Sequence, residues 1–167
     1  MDDAKKSRIS DRDYNSTVIL QMTDIISENS EDLKAYVMRG NHYLDSGKLI
    51  EAISDLTKAI QLDPSDPMVF NNRGVAYRRS VDKDKALEDF DQAITIKPDY
   101  REAYNNRGMV LADNYEYEAA IVQFTKAIEI DPNYWYAYNN RAMSRWALGD
   151  RKGAESDYKV VSSYMSG

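Results

Sequence analysis

The stretch "EAYNNRGMVL", Glu102–Leu111, recurs in altered form along the chain. Its Asn-Asn-Arg core also stands in "VFNNRGVAYR", Val69–Arg78, and in "YAYNNRAMSR", Tyr136–Arg145. Arg-Gly or Arg-Ala falls at 39–40, 73–74, 107–108 and 141–142, a step of 34 residues each time. A fixed period of this size indicates a repeat architecture, in which each unit buries its apolar face against the next.

Further columns of residues keep the same step. They comprise one aromatic column, one alanine column, one column of large apolar residues and a proline column: Tyr36, Phe70, Tyr104, Tyr138; Ala52, Ala86, Ala120, Ala154; Leu56, Phe90, Phe124, Tyr158; Pro64, Pro98, Pro132. In the third unit Tyr104, Gly108 and Leu111 share one helical face, and a second apolar helix follows over 120–128. Each unit is therefore predicted to be two short helices and a turn, with Pro ending the second helix.

This order of aromatic, small and proline positions closely resembles the tetratricopeptide repeat. The resemblance covers residues 33 to about 166 and implies an all-α, right-handed α-solenoid of four helix-turn-helix units with an N-terminal capping helix. The predicted units span 33–66, 67–100, 101–134 and 135–167, and the last is partly degenerate, as a C-terminal cap often is.

Residues 14–32 are predicted to form a capping helix or a decayed half-repeat. Val18 and Met22 lie one repeat step before Ala52 and Leu56, which favours the half-repeat, but either interpretation has this helix cover the first full unit. Residues 1–13 are charged throughout and are expected to be a flexible tail.

The turns between the paired helices differ along the chain. Gly47 and Gly149 supply the left-handed residue that such a turn needs. In the two middle turns we expect Asn114 to take that conformation, and no residue around Val81 suits it.

In the resembled family, the side of the first helix that faces away from its partner lines a concave surface. The asparagines would form two ladders there, and a carboxamide can both donate to and accept from the backbone of an extended peptide. We interpret the first ladder as ligand contacts; for the second, ligand contact and a structural role both stay open. The ladders are Asn71, Asn105, Asn139 and Asn72, Asn106, Asn140.

The inner stripe also holds adaptable methionines and a tryptophan that could anchor an apolar side chain. The residues predicted to bind a peptide are Asn41, Asn71, Asn72, Arg78, Asn105, Asn106, Met109, Asn139, Asn140, Met143 and Trp146.

The arginines fall into two groups. Those at 73, 107 and 141 replace the leucine usual in the resembled family, and we interpret them as packing residues. Arg79 shares a column with Asp45 and Asp113 and is expected to pair with them. Arg78 has no acidic residue in its column and is expected to be freer for a ligand.

Chaperone-binding relatives of the resembled family grip a terminal carboxylate with a set of Lys, Asn and Arg. Asn41 and Asn72 match that set, but Val37, Glu102 and Asn106 stand where the basic residues belong. Such a carboxylate clamp is not expected here.

The last helix is predicted to expose apolar side chains with no following unit to cover them, namely Tyr158, Val161, Tyr164 and Met165. Exposed apolar faces often bind partners. Homodimerisation through this helix is therefore a second hypothesis, and the alternative is that the chain is part of a longer array.

The composition excludes several classes of function. With no cysteine and one histidine, His42, the usual nucleophilic and zinc sites cannot be assembled, so we expect no enzyme, metal or cofactor. A net charge of −6 disfavours nucleic acid, and no apolar run is long enough for membrane insertion. The absence of cysteine fits a cytoplasmic location.

The leading hypothesis is a non-enzymatic protein-interaction module that binds an extended peptide in its concave groove and scaffolds a complex. The alternative is a chaperone-like or self-associating protein that acts through exposed terminal helices.

Overall fold

The computed structural model describes residues 11–165, with side chains from Tyr14 onward. These residues form nine α-helices and no strand, which confirms the all-α class. No helix among these residues combines the length and the hydrophobicity that a bilayer span requires. The helices belong to two compact bodies, an N-terminal body up to Ser65 and a C-terminal body from Asp66 onward.

The N-terminal body contains α1 (Asp11–Glu28), α2 (Leu33–Asp45) and α3 (Leu49–Leu62). Helix α1 packs on α2 and α2 packs on α3. Val18 and Met22 are buried against Ala35, so α1 covers the apolar side of α2. Because α1 begins at Asp11, the last three residues of the expected tail are helical; residues 1–10 lie outside the described part.

The C-terminal body consists of three consecutive helical hairpins. Their helices are α4 (Pro67–Arg79), α5 (Lys83–Ile96), α6 (Arg101–Asp113), α7 (Tyr117–Ile130), α8 (Trp135–Ala147) and α9 (Arg151–Met165). The first helices α4, α6 and α8 contact one another in turn, whereas the second helices make no mutual contact over residues 66–165. The first helices therefore line the inner, concave side of this body.

Close approach within each hairpin depends on small residues, as the sequence predicts. A Cβ atom at Gly74 would lie 2.7 Å from the Phe90 ring, and one at Gly108 would lie 2.6 Å from the Phe124 ring. Both phenylalanines are fully buried in the space that the glycines leave open.

The two middle turns do not follow the sequence-based expectation. Val81 and Tyr115 adopt positive φ angles of 68° and 65°, equivalent to Gly47 and Gly149, while Asn114 has a φ of −95°. Both the expectation for Asn114 and the statement that no residue near Val81 suits the turn are wrong. The reason is geometric, because the hairpin fixes which residue must be left-handed and the local sequence does not change that position.

We expect Val81→Gly and Tyr115→Gly each to raise the free energy of unfolding by about 1 kcal/mol, since glycine removes the steric cost of the left-handed conformation. Urea unfolding followed by circular dichroism measures the change. The matched control is Val122→Gly, at an exposed position inside α7, which should lower the free energy by about 1 kcal/mol. A loss of stability at all three positions would contradict the strain at the turns.

Candidate functional site

The concave side of the C-terminal body holds a cavity of about 300 Å³ between α6 and α8. Four residues predicted from the sequence lie in its wall, namely Arg78, Met109, Asn140 and Met143. The remaining lining is mostly apolar and comprises Ala112, Asp113, Tyr117, Phe124, Ser144 and Ala147. This cavity is the candidate site, since it joins apolar walls with a few polar groups.

The two asparagine ladders are hydrogen-bonded to each other. The Nδ2 of Asn106 donates to Oδ1 of Asn71, and the Nδ2 of Asn140 donates to Oδ1 of Asn105, both at 2.9 Å. Asn71 and Asn105 are only 5% and 4% exposed. This corrects the expectation that the first ladder borders the groove: in these two repeats it is buried and ties successive hairpins together.

The other predicted amides keep part of their surface exposed. Asn72 accepts a bond from Nδ2 of Asn71 at 3.2 Å, and Asn139 lies half-exposed with its Nδ2 3.8 Å from Sδ of Met143. Asn41 is half-buried on α2 in the N-terminal body. The asparagines therefore do not form one uniform ladder, because some are buried between hairpins and others are partly exposed.

Trp146 is exposed on α8, close to the cavity wall formed by Met143 and Ala147. The guanidinium of Arg151 lies 3.8 Å from the centroid of its ring. The indole thus forms part of an accessible surface beside the cavity.

Arg78 forms an ion pair, contrary to the expectation that it is freer for a ligand. Its Nε donates to Oδ2 of Asp113 at 2.7 Å, across from α4 to α6. The expectation is wrong because the repeat step of 34 residues aligns Asp113 with Arg79. The ion pair instead joins Asp113 to Arg78, which lies 35 positions earlier. The ion pair forms a polar rim on the cavity.

Sequence reasoning missed a set of buried ion pairs within the hairpins. Each joins an arginine of the first helix to an aspartate 16 residues later, in two hydrogen bonds of 2.7–2.9 Å: Arg39–Asp55, Arg73–Asp89 and Arg141–Asp157. The arginines therefore hold the hairpins through charge as well as packing. The signal in the sequence is an aspartate column that keeps the repeat step.

Acidic and aromatic groups lie at the end of the groove where α6 and α8 begin. Glu102 accepts a hydrogen bond from Nε of Arg101 at 2.9 Å. Burial first, and then the charge of Glu102, raises the pKa of both Tyr100 and Tyr134 to about 12. At Tyr134 the charge of Arg101 opposes that of Glu102 and lowers the pKa.

The last helix differs from the predicted apolar face. Val161 is 8% exposed and packs inside the hairpin, so its assignment to an oligomerisation surface is wrong. Tyr158, Tyr164 and Met165 are exposed, and the hydroxyl of Tyr164 donates to Oδ1 of Asn133 at 2.7 Å. Val161 follows the buried alanine column at 59, 93 and 127, which explains its position.

The face of α9 is also more polar than the matching faces of α5 and α7. Glu155 stands in the column of Leu87 and Ile121, and Ser162 stands in the column of Ile94 and Ile128. Leu87 and Ile128 pack into the core between hairpins. The polar pair on α9 is typical of a terminal capping helix and does not favour homodimerisation.

We expect Glu155→Ile with Ser162→Ile to produce a concentration-dependent dimer, because the two changes restore the apolar face that α5 and α7 bury. Light scattering after size exclusion measures the mass. The control is Ser156→Ile with Ser163→Ile, two exposed sites outside these columns. A wild-type chain that is already dimeric through α9 would contradict this prediction.

Comparison with known proteins identifies the repeat. A family model described as TPR repeat matches residues 40–80, and one described as tetratricopeptide repeat matches 67–100 and 102–134. None of the curated proteins matches the chain.

Solved structures similar to the chain include MamA, at 24% identity and a TM-score of 0.83 over 99% of this chain and 96% of that one. The first TPR of Spaghetti (RPAP3), bound to the HSP90 peptide SRMEEVD, is 30% identical, with a TM-score of 0.68 over 72% and 96% of the two chains. YrrB, described as a TPR protein with an unusual peptide-binding site, is 21% identical, with a TM-score of 0.71 over 92% and 79%. The likeness to MamA and YrrB concerns the fold.

Proposed function

Because the chain belongs to the tetratricopeptide repeat family, we propose that its C-terminal body is a non-catalytic module that binds a segment of a partner protein on its concave side. The segment inserts an apolar side chain into the cavity between α6 and α8. By holding the partner there, the module scaffolds a larger complex.

One observation carries the proposal, namely the apolar cavity on the side that the first helices line. Met109 of α6 and Met143 of α8 both line it, and the buried Phe124 ring forms part of its wall. Methionine side chains adapt to differently shaped partners, and a buried anchor in such a pocket supplies much of the energy of a protein interface.

The RPAP3 domain, which is 30% identical to this chain, is bound to an HSP90 peptide, and this supports the proposal that the chain binds a segment of a partner protein. A clamp for a terminal carboxylate is not part of the proposal, because Val37, Glu102 and Asn106 stand where such a clamp needs basic residues. The proposed anchor is therefore an apolar side chain.

Site-specific photo-crosslinking tests this proposal. Benzoylphenylalanine at Met143, in the cavity wall, is expected to capture a partner in extracts of the native cell. The same probe at Val122, exposed on α7 and away from this cavity, is the matched control. Adding Ala112→Leu, which fills the cavity, should abolish the adduct at Met143. Equal adducts at both positions, or one that survives Ala112→Leu, would overturn the proposal.

A further inference from the structure

We infer that the groove between α6 and α8 takes an amphipathic α-helix of the partner, not an extended chain. This inference rests on the proposed function and specifies the conformation of the bound segment. Three features of the C-terminal body carry it: the engaged asparagines, an apolar stripe on α8, and a cation at one end of the groove.

The first feature concerns backbone hydrogen bonds. An extended segment brings N–H and C=O groups that need partners wherever the groove buries them. Asn71 and Asn105 are buried, and their Oδ1 atoms already accept bonds from Asn106 and Asn140. An extended ligand would compete with bonds that hold the hairpins together. A helix satisfies its own backbone and needs only side-chain contacts.

The second feature is an apolar stripe along α8. Tyr136, Met143 and Trp146 lie at i, i+7 and i+10, on one face, and each exposes about half of its surface. The stripe is about 15 Å long at the rise of an α-helix. Met109 and Ala112 of α6 border the cavity from the other side. Two apolar rows beside a pocket suit the i, i+3, i+4 and i+7 residues of a docked helix.

The third feature is a cation at one end of the groove. Glu102, where α6 begins, is neutralised by Arg101, whereas Arg151 lies on Trp146 just after the end of α8. A helix dipole is positive at its N-terminus and negative at its C-terminus. The docked helix therefore runs parallel to α6 and α8, with its C-terminus near Arg151.

Selection from two peptide libraries tests the inference. Both contain peptides about four turns long, with Leu, Met, Phe and Trp varied at i, i+3, i+4 and i+7. One library is locked as helices by a side-chain lactam, and the other carries a central proline that prevents the helix. Binders are selected on the wild-type chain and counter-selected on Ala112→Leu. Met143→Lys, at an exposed site, serves as a second counter-selection if Ala112→Leu lowers the melting temperature.

We expect binders from the helical library alone, with shifts of the methyl signals of Met109 and Met143 in NMR spectra. A nitroxide at the peptide C-terminus should broaden the Trp146 indole signal more than the Tyr136 ring signals; the reverse would overturn the parallel orientation. Binders from the proline library alone, or equally from both, would overturn the helical ligand and leave the proposed function standing. No binder from either library would count against both.

Discussion

Replacing Asp89 by alanine is expected to lower the free energy of unfolding by about 3–5 kcal/mol, because the change leaves the guanidinium of Arg73 buried without its countercharge. The two side chains are only 6% and 17% exposed, and two hydrogen bonds of 2.7 and 2.8 Å join them. Urea unfolding monitored by circular dichroism gives the difference. A change below about 1 kcal/mol would contradict the structural role of the pair.

The matched control is Asp113→Ala, which breaks the ion pair with Arg78. Because Asp113 is 42% exposed, water replaces the lost contact, and the expected cost is about 1 kcal/mol or less. The double variant Arg73→Leu with Asp89→Leu removes both charges and should recover most of the stability lost in Asp89→Ala. The double leucine variant also tests whether the ion pair stabilises the fold, or whether each charge is required only to neutralise the other.

The third repeat keeps its arginine neutralised with a different partner. Gln123 stands in the aspartate column, and Asp91 stands where the neighbouring repeats have Thr57 and Thr125. Arg107 accordingly donates from its Nε to Asp91 at 2.7 Å, toward the preceding helix α5. In the fourth repeat Arg141 donates to Thr125 at the same spacing. The arginine of the third repeat is thus also neutralised by an aspartate. Its ion pair, however, links α6 to α5 of the preceding hairpin instead of joining the two helices of one hairpin.

The asparagine ladders show how far a repeat step alone can locate a site. The step correctly places each asparagine on the inner helices, because helix and repeat periods fix the face of a residue. It cannot show that a first-column amide meets the second-column amide of the next repeat, 35 residues later. That contact depends on the rotation between successive hairpins, which no column displays.

The arginines and the turns escape prediction for a related reason. Comparing each arginine with the leucine of the resembled family leaves out the aspartate 16 residues later in the partner helix. At Val81 and Tyr115 the residue type argues against a left-handed turn, yet the hairpin geometry demands that conformation there whatever the side chain. The repeat step predicts which residues occupy equivalent positions in successive repeats. It does not predict contacts between residues at non-equivalent positions, such as those 16 or 35 residues apart.

Replacing Gly108 by alanine is expected to destabilise the protein by about 1–3 kcal/mol, because the new methyl group would lie 2.6 Å from the Phe124 ring and the packed hairpin has no room to yield. Thermal and urea unfolding measure the loss. Gly149→Ala separates steric overlap from glycine removal in general: a Cβ atom there would meet nothing within 4 Å, so any loss comes from its φ of 82°.

The double variant Gly108→Ala with Phe124→Leu tests the cause. Leucine shortens the side chain that the methyl group meets, and α2 and α3 pack in a similar way, with Leu56 opposite Gly40. Between α8 and α9, Ala142 replaces the glycine, and the aromatic residue of the column, Tyr158, lies partly exposed instead of filling the space beside it. The double variant should therefore be more stable than Gly108→Ala alone. If Phe124→Leu adds its own loss to that of Gly108→Ala, the two side chains do not compete for one space, and the reason given for the glycine column is wrong.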